Sequence, residues 1–305
     1  VADFQPGHSL KLARSDTYHG TRAASNVVEF MHYSDADALS KALTDGSLDM
    51  AAPVSASTAT GLNGKDGLTV KEGATTDKVL LAYNNGIDSL LSDEQARKAF
   101  RYQIDAAGIA SAQPDAAGAL GGPISLLEPG YEDLTGLYPH DENQAGQMFS
   151  YFGAQYLTTV NLVVPEEYRS LAETIKQQIE RQPRPTVNLE VLSDEDYAKR
   201  IKDGKWELTV MSMDGTDDAG IFADPDSMFH YDHTEAQQAY ADARAATNDA
   251  DYEARMKAYA RLISEDAASD WLYTRKCFTV ASTKVSGYPT SMINRRMPLA
   301  GLTVK

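Results

Sequence analysis

The stretch "TTVNLVVPEEYRSLAETIKQQIERQPRPTVNLEVLSDEDYAKRIKDGKWELTVMSM", residues 158–213, decides the fold class of this chain. Short runs of β-branched and apolar residues alternate in it with longer amphipathic segments, which predicts strands alternating with helices. The three predicted strands are 158–164, 186–192 and 206–213, and the two predicted helices are 165–182 and 193–204. A β-α-β-α-β order forms a largely parallel sheet covered by helices, so the sequence predicts an α/β protein.

Both predicted helices carry end signals as well as periodicity. Pro165 and Glu166 suit the first turn of the first helix. Ser193 is the predicted N-cap of the second helix, with Asp196 at the capping-box position and Gly204 as the stop signal. Apolar residues of the first helix share one face: Tyr168, Leu171, Ala172, Ile175 and Ile179.

An acidic segment, "MDGTDDAGIFADPDSMF" (213–229), follows the last predicted strand. Five aspartates lie in it: Asp214, Asp217, Asp218, Asp224 and Asp226. In open α/β sheets ligands bind beyond the carboxyl ends of the strands, so we expect this segment to lie in a cleft. Three interpretations are open from the residues alone: a site for a hard cation, a pair of catalytic carboxylates, or a loop that holds the positive part of a ligand.

The composition indicates a soluble protein with more than one domain. A chain of 305 residues exceeds the usual size of one hydrophobic core. Its 28 Lys and Arg against 44 Asp and Glu give a formal net charge of -16, and no stretch gathers basic residues into a stripe. Nucleic acid is therefore excluded as an expected partner, and the excess of acid is typical of a solvated surface.

The cysteine count and the first residues of the chain exclude several kinds of site and segment. Cys277 is the only cysteine, which rules out an internal disulfide, a cysteine-based zinc site and a CxxC redox centre. No window approaches 18 consecutive apolar residues, and the opening "VADFQPGHSLKLARSD" lacks a basic region followed by an apolar one. We expect a soluble chain that carries no export signal of its own.

The motifs of metal and catalytic sites are weak here. An EF-hand pattern fails because Gly215 directly follows Asp214. His230, Asp232 and His233 offer possible ligands without a turn or helix to aim them. No G-x-S-x-G elbow and no glycine-rich phosphate loop is present. The sequence therefore predicts no enzyme activity, no cofactor and no bound metal.

The remaining segments predict further helices and one long loop. The predicted helices are 92–107, 141–153, 235–247 and 249–268, and an apolar stripe on the last of them is expected in the core. Its members are Tyr252, Met256, Tyr259, Ile263 and Ala267. Residues 108–140 are rich in Gly, Pro and Ala with almost no periodicity, which is uncommon unless the loop is functional.

Five segments, taken in order, resemble one family. They are "ALTDGSLDM" (42–50), "VLLAYNNG" (79–86), "SDEQARKAFRYQID" (92–105), "GLYPHDENQAGQMFSYFG" (136–153) and the acidic segment 213–229. In their order and residue types they are similar to the solute-binding proteins of peptide-type ABC transporters, the oligopeptide-, dipeptide- and nickel-binding family. The last resembles the family's Trp-Gly-x-Asp run that leads to Asp-Pro-Asp, with Asp214 where the Trp usually stands.

The resemblance implies an α/β, two-lobed periplasmic-binding-protein-like fold. The implied divisions are 1–83 as a partial first lobe, 84–275 as a complete second lobe and 276–305 as a return segment to the first lobe. The chain's opening resembles an internal segment of the family's first lobe. The expectation is therefore that the N-terminal part of that lobe is lacking and that this chain binds ligand weakly or not at all.

The implied function is that of the extracytoplasmic solute-binding component of an ABC importer. Such a protein binds a peptide or similar small solute in an interlobe cleft and delivers it to a membrane permease. We expect a monomer without cofactor, in the periplasm or as a cell-surface lipoprotein. The alternatives are a metal-dependent hydrolase that uses the acids between Asp214 and Asp226, and a fragment that binds nothing.

By the resemblance, Asp217 is the carboxylate that receives a ligand's α-ammonium group, with Asp214 and Asp218 strengthening the negative field. Asp224 and Asp226 are expected to cap turns instead. Weaker candidates for lining the cleft are Phe222, Tyr83 and Asn84. If the ion pair is desolvated, loss of Asp217 is expected to cost about 2 to 5 kcal/mol of binding energy, and loss of Asp226 little.

Overall fold

The computed structural model describes residues 1–150, 158–215, 217–294 and 296–305. The described chain divides into two compact units. The first unit consists of Val1–Thr75 and Lys276–Lys305, and the second of Thr76–Arg275.

The helices are α1 (Ala36–Asp45), α2 (Ala56–Leu62), α3 (Glu94–Gln103), α4 (Ala106–Ala112), α5 (Glu142–Ser150), α6 (Arg169–Ile179), α7 (Asp194–Lys202), α8 (Thr234–Arg244) and α9 (Asp249–Glu265). Two 3₁₀ helices, Glu166–Tyr168 and Asp218–Ala223, complete the helical segments described here.

The strands are β1 (Asp3–Gln5), β2 (Ser9–Ala13), β3 (Val27–Met31), β4 (Met50–Val54), β5 (Leu68–Tyr83), β6 (Ala116–Ala119), β7 (Thr159–Pro165), β8 (Thr186–Leu192), β9 (Leu208–Met213), β10 (Ser269–Ser282), β11 (Val285–Ser286) and β12 (Thr303–Val304). β5 and β10 each contribute residues to both units.

The sheet of the second unit has the strand order β10-β5-β9-β7-β8, with β6 paired to β10. β7 pairs in parallel with β8 over its whole length and with β9 at Leu162–Leu208, so the prediction of consecutive parallel strands over 158–213 is confirmed. Beyond these three strands the pairing is antiparallel, between β5 and β9 and between β6 and β10. The sheet is thus mixed rather than largely parallel.

Side-chain caps explain where the helices depart from their predicted bounds. The predicted helix 92–107 is two helices, because Ile104 and Asp105 leave helical geometry. The Asp105 carboxylate then caps α4 by accepting the backbone N–H of Gly108 in its first turn. Pro165 ends β7 instead of beginning a helix. Ser193 caps α7 as predicted, accepting the N–H of Asp196 at 3.2 Å. The last residues of the predicted helix 141–153 lie outside the described residues.

Alternation along β5 supplies both faces of the second unit's core. Val79, Leu81 and Tyr83 belong to the cluster covered by α3, α5 and α6, whereas Leu80 and Ala82 belong to the cluster covered by α8 and α9. All five are fully buried. The predicted stripe of α9 is core as expected, with these members buried: Met256, Tyr259, Ile263 and the following Ala267.

The first unit has a much smaller core. Its buried apolar cluster consists of Leu43, Val54, Ala59, Leu62 and Val280. The antiparallel sheet β1-β2-β3 buries none of its residues, and Phe30 on β3 is 43% exposed. An open, mostly apolar groove of about 710 Å³ is lined by β3, by residues 47–52 and by residues 297–304.

The compact units are bounded differently from the lobes that the resemblance implies. The sequence prediction divides the chain at 83/84, whereas the compact units divide at 75/76, within β5. The reason is that Lys78–Tyr83 pairs with β9 of the second unit. The second division of the compact units lies at 275/276. The lobe bounds 1–83, 84–275 and 276–305 remain a prediction.

Candidate functional site

The acidic segment begins at the carboxyl end of β9, at the edge of the sheet where β7 and β8 also end. The antiparallel register of β5 places Lys78 opposite Met213, the last residue of β9. The hydroxyl of Thr76 donates to the carbonyl oxygen of Asp214 at 3.1 Å. Backbone pairing therefore sets the first residues of the segment beside the amino end of this part of β5.

Lys78 is a buried cation shared by two carboxylates. Its side chain is 1% exposed, and its Nζ lies 2.8 Å from Glu128 Oε2 and 2.9 Å from Asp218 Oδ1. The Glu128 carboxylate also accepts the backbone N–H of Ser125 at 2.8 Å. Because an unpaired charge is costly in such a place, the three groups stabilise one another in the folded chain.

The Asp218 carboxyl shows the cost of this burial. Desolvation raises its pKa from 3.8 to about 6, against the lowering effect of Lys78, and the charge of Glu128 adds to the rise. Two carboxylates facing one ammonium leave a net negative charge in a poorly solvated place. The Asp218 carboxylate is therefore engaged in its contact with Lys78 inside the protein.

Asp217 has a different environment. Its side chain is 33% exposed, with Oδ2 2.9 Å from Nη1 of Arg244, which is itself 57% exposed. Its Oδ1 accepts the hydroxyl of Tyr240 at 3.0 Å. The Asp217 backbone adopts the left-handed conformation (φ 69°) that begins the 3₁₀ helix after it.

Tyr240 reaches Asp217 across a glycine. A Cβ at Gly220 would lie 2.3 Å from the Tyr240 hydroxyl oxygen, so only glycine leaves room for this approach. Burial, together with the hydrogen bond to Asp217, raises the pKa of Tyr240 to about 12. The phenol therefore stays protonated at neutral pH and donates to Asp217.

The last two acids of the segment lie in a turn. Asp224 Oδ1 accepts the backbone N–H of Asp226 at 3.0 Å, the turn role expected for Asp224. Both residues are exposed. They do not join Lys78, Glu128 or Arg244.

Phe222, one of the residues predicted to line a cleft, is fully buried. Its ring contacts those of Phe229, Tyr231 and Trp271, with centroid distances of 4.5, 6.4 and 5.5 Å. The neighbouring carbonyl of Ala219 accepts the hydroxyl of Tyr259 at 2.8 Å. These contacts anchor the 3₁₀ helix that follows Asp217, so Phe222 supports the acids from the core.

Tyr83 and Asn84 also lie inside the second unit. Tyr83 is fully buried against Phe100 in the core. The Asn84 amide donates to the carbonyl of Trp206 at 2.9 Å, and its side-chain oxygen accepts the N–H of Gly86 at 3.0 Å. In this structure Tyr83 packs the core and Asn84 shapes the turn after β5.

Sequence reasoning missed four residues of this site: Lys78, Glu128, Tyr240 and Arg244. A sequence signal exists for Lys78, because a single lysine directly before the apolar run "VLLAY" (79–83) is expected to need a buried counter-ion. Glu128 lies in the loop whose length predicted a function. Tyr240 and Arg244 are one turn apart on α8, a spacing that has meaning only once the partner is known.

The described residues contain no group of three or more His, Cys, Asp or Glu side chains placed to hold a metal ion. In the part of the chain that the structure covers, no helix has both the length and the apolar character needed to cross a bilayer.

Residues 1–242 match the family described as bacterial extracellular solute-binding proteins, family 5, middle region. The match covers well over half of the chain. The chain belongs to this family. The family resemblance read from the five sequence segments is thereby confirmed, and no curated protein sequence matches the chain significantly.

Solved structures of this class share the fold. The substrate-binding protein CtaP of an ABC transporter from Listeria monocytogenes has a TM-score of 0.85 at 14% identity, covering 99% of this chain and 65% of its own. The oligopeptide-binding protein AppA from Bacillus subtilis, solved with a nonapeptide, has a TM-score of 0.73 at 16% identity, covering 99% and 65%. NikA from Brucella suis, solved with Fe(III)-EDTA, has a TM-score of 0.78 at 16% identity, covering 99% and 67%.

These matches confirm the prediction of an α/β, two-lobed periplasmic-binding-protein-like fold. At 14 to 16% sequence identity, these matches establish the fold of the chain but not its ligand. The chain spans 65 to 67% of the length of these three structures.

Proposed function

We propose that this chain is the solute-binding component, or part of it, of an ABC importer, and that it binds a peptide or similar small solute through a positively charged end. One observation carries the proposal. The acid that the family resemblance selects, Asp217, is a solvent-reachable carboxylate at the carboxyl edge of β7, β8 and β9 in a member of the solute-binding family.

The surroundings of the acids favour Asp217 over Asp218. Exposed ion pairs such as Asp217–Arg244 contribute about 0 to 1 kcal/mol, so a ligand ammonium can replace the guanidinium at little cost. Taking Asp218 from Lys78 would instead strand a buried charge, which costs about 3 to 5 kcal/mol. Asp214 and Asp218 would then contribute to the negative potential around Asp217.

The charge of the segment favours a cationic or zwitterionic ligand over an anionic chelate. Asp217, Asp218 and Glu128 carry three carboxylates against the two cations Lys78 and Arg244. A bound Fe(III)-EDTA complex, as in the NikA structure, would bring further negative charge to this place. A peptide with a free amino terminus, comparable to the nonapeptide held by AppA, fits the charge better.

The partner of such a component is the membrane permease of the importer, reached outside the cytoplasm in the periplasm or from a lipid anchor. The chain acts in this proposal as a monomer that binds and releases its solute without converting it. Permease and anchor follow from the class of protein rather than from any particular residue.

The test is a titration of the protein with a minimal peptide, in which the amide NMR signals of residues 213–229 report binding. Trialanine with a free amino group should shift these signals in a saturable way. N-acetyl-trialanine, which lacks the charge, should bind about 3- to 10-fold more weakly, as loss of an accessible ion pair implies. Equal binding of both peptides, or no response to either, would contradict the proposal.

A further inference from the structure

Both oxygens of the Asp217 carboxylate are occupied from one helix. Tyr240 donates to Oδ1 at 3.0 Å, and Arg244, one turn later on α8, donates to Oδ2 at 2.9 Å. Each carboxylate oxygen can accept a second hydrogen bond, but a ligand ammonium beside Asp217 would face the positive charge of the Arg244 guanidinium, and this repulsion favours displacement of the guanidinium.

Arg244 is the donor that can leave. Its side chain is 57% exposed and it belongs to the last turn of α8, where solvent can take over its charge. Tyr240 is half-buried and lies against Gly220, so its hydroxyl has little freedom to move away. Tyr240 can remain as a donor while a cation replaces the guanidinium.

The other cation beside the acidic segment cannot exchange in this way. Lys78 is 1% exposed and serves both Glu128 and Asp218. Breaking that cluster would leave charges buried without partners. Exchange at the surface pair is the lower-cost path, because exposed pairs contribute little to stability.

We propose that Arg244 is an internal competitor for the cationic end of the ligand: its guanidinium occupies Asp217 in the empty protein and must be displaced when the ligand binds. This inference rests on the proposed function of Asp217 and adds a residue that sets affinity. It also assigns a selection rule, because only a ligand whose cation replaces a guanidinium on Asp217 gains from the site.

The test uses Arg244→Gln and the charge-preserving Arg244→Lys, with Arg255→Gln as a matched control. Arg255 forms a comparable exposed pair with Asp251, Nε to Oδ1 2.8 Å, in the same unit. In the trialanine titration, Arg244→Gln should bind about 3- to 10-fold more tightly than the unchanged protein. Arg244→Lys and Arg255→Gln should stay within about twofold of it, since both keep a cation beside Asp217.

Unchanged or weaker trialanine binding by Arg244→Gln would overturn the inference while leaving the proposed function intact, and weaker binding would mean that Arg244 holds the ligand's carboxylate. If neither the unchanged protein nor any variant binds trialanine, the proposed function fails. A titration with methylammonium chloride then tests the inference about Arg244 on its own. The carboxyl ¹³C signal of Asp217 should then respond at lower methylammonium concentration in Arg244→Gln than in the unchanged protein, with sodium chloride as the ionic-strength reference. Identical responses in both proteins would overturn it.

Discussion

In the second unit both faces of the sheet are covered by helices, whereas in the first unit the sheet β1-β2-β3 buries none of its residues. Most of the exposed large apolar side chains lie in the first unit, although it is the smaller of the two. The buried charges Lys78, Glu128 and Asp218 all belong to the second unit.

This difference indicates what holds the acidic segment in place. Ala219 and Phe222, next to the acids, are buried in a core that β5 and β9 also form. The residues that flank the acids are thus held by packing in the core of the second unit. The first unit exposes more apolar surface, including Phe30 and Met31 on β3.

The largest contrast is expected for the same substitution in the two units. Phe222→Ala removes a fully buried ring and should lower the free energy of unfolding of the second unit by about 3 to 5 kcal/mol. Phe30→Ala, at a ring that is 43% exposed, should change stability by about 0.5 kcal/mol or less.

Tryptophan fluorescence during urea unfolding measures the first of these changes selectively, because Trp206 and Trp271 are the only tryptophans and both are buried in the second unit. Circular dichroism of the same samples follows the whole chain and measures the effect of Phe30→Ala. A loss at Phe30 as large as that at Phe222 would refute the contrast between the units.

The next contrast concerns charge. Lys78→Met should lower the free energy of unfolding by about 3 to 5 kcal/mol, because Asp218 and Glu128 lose their shared cation inside the protein. Lys276→Met is the control in the first unit: its pair with Glu72 is more exposed and should contribute about 1 kcal/mol or less. Urea unfolding of both variants measures the two losses of unfolding free energy. Equal losses would mean that Lys78 is not a buried counter-ion.

The dependence of stability on pH gives a third, smaller effect. Since burial raises the pKa of Asp218 from 3.8 to about 6, the folded chain binds this proton more tightly than the unfolded chain. The resulting stability is fully present below about pH 4 and is lost as the pH rises through about 6. Asp218→Asn removes the effect, so its stability relative to the unchanged protein should improve by up to about 3 kcal/mol between pH 4 and pH 7.

Fluorescence-monitored urea unfolding at several pH values measures this trend. Asp226→Asn, at an exposed turn position, is the control and should follow the unchanged protein at every pH. A pH-independent difference between Asp218→Asn and the unchanged protein would contradict the assignment of a raised pKa to Asp218.

The sequence predicted the parallel strands and the acidic segment because both depend on local signals, namely period, caps and turn residues. It could not predict the partners of the acids. Lys78 meets Asp218 through the register of β5 on β9, and Arg244 meets Asp217 through the packing of α8. Such contacts join residues far apart in the chain, and no local pattern records them.

Phe222 illustrates the same limit for apolar residues. An aromatic side chain in a loop beside acids suits both a cleft wall and a core, and its sequence surroundings are the same in both cases. Packing against Trp271 and Phe229 places it in the core. The division of the compact units at 75/76 has a similar cause, since the pairing of β5 with β9 cannot be read from the sequence of β5 alone.

A small effect on stability is also expected at the proposed ligand carboxylate. Asp217→Asn should change the free energy of unfolding by about 1 kcal/mol or less, because its pair with Arg244 is largely exposed. Urea unfolding measures this, with Asp218→Asn as the comparison in the same segment. A loss of several kcal/mol would mean that Asp217 has a structural role.

Whether Asp217 receives the ligand's cation is decided by comparing Asp217→Asn with Asp226→Asn in the trialanine titration. Asp217→Asn should weaken trialanine binding by about 3- to 10-fold and remove the preference over N-acetyl-trialanine, while Asp226→Asn should change neither. Equal small losses in both variants, or a large loss for Asp226→Asn alone, would contradict it.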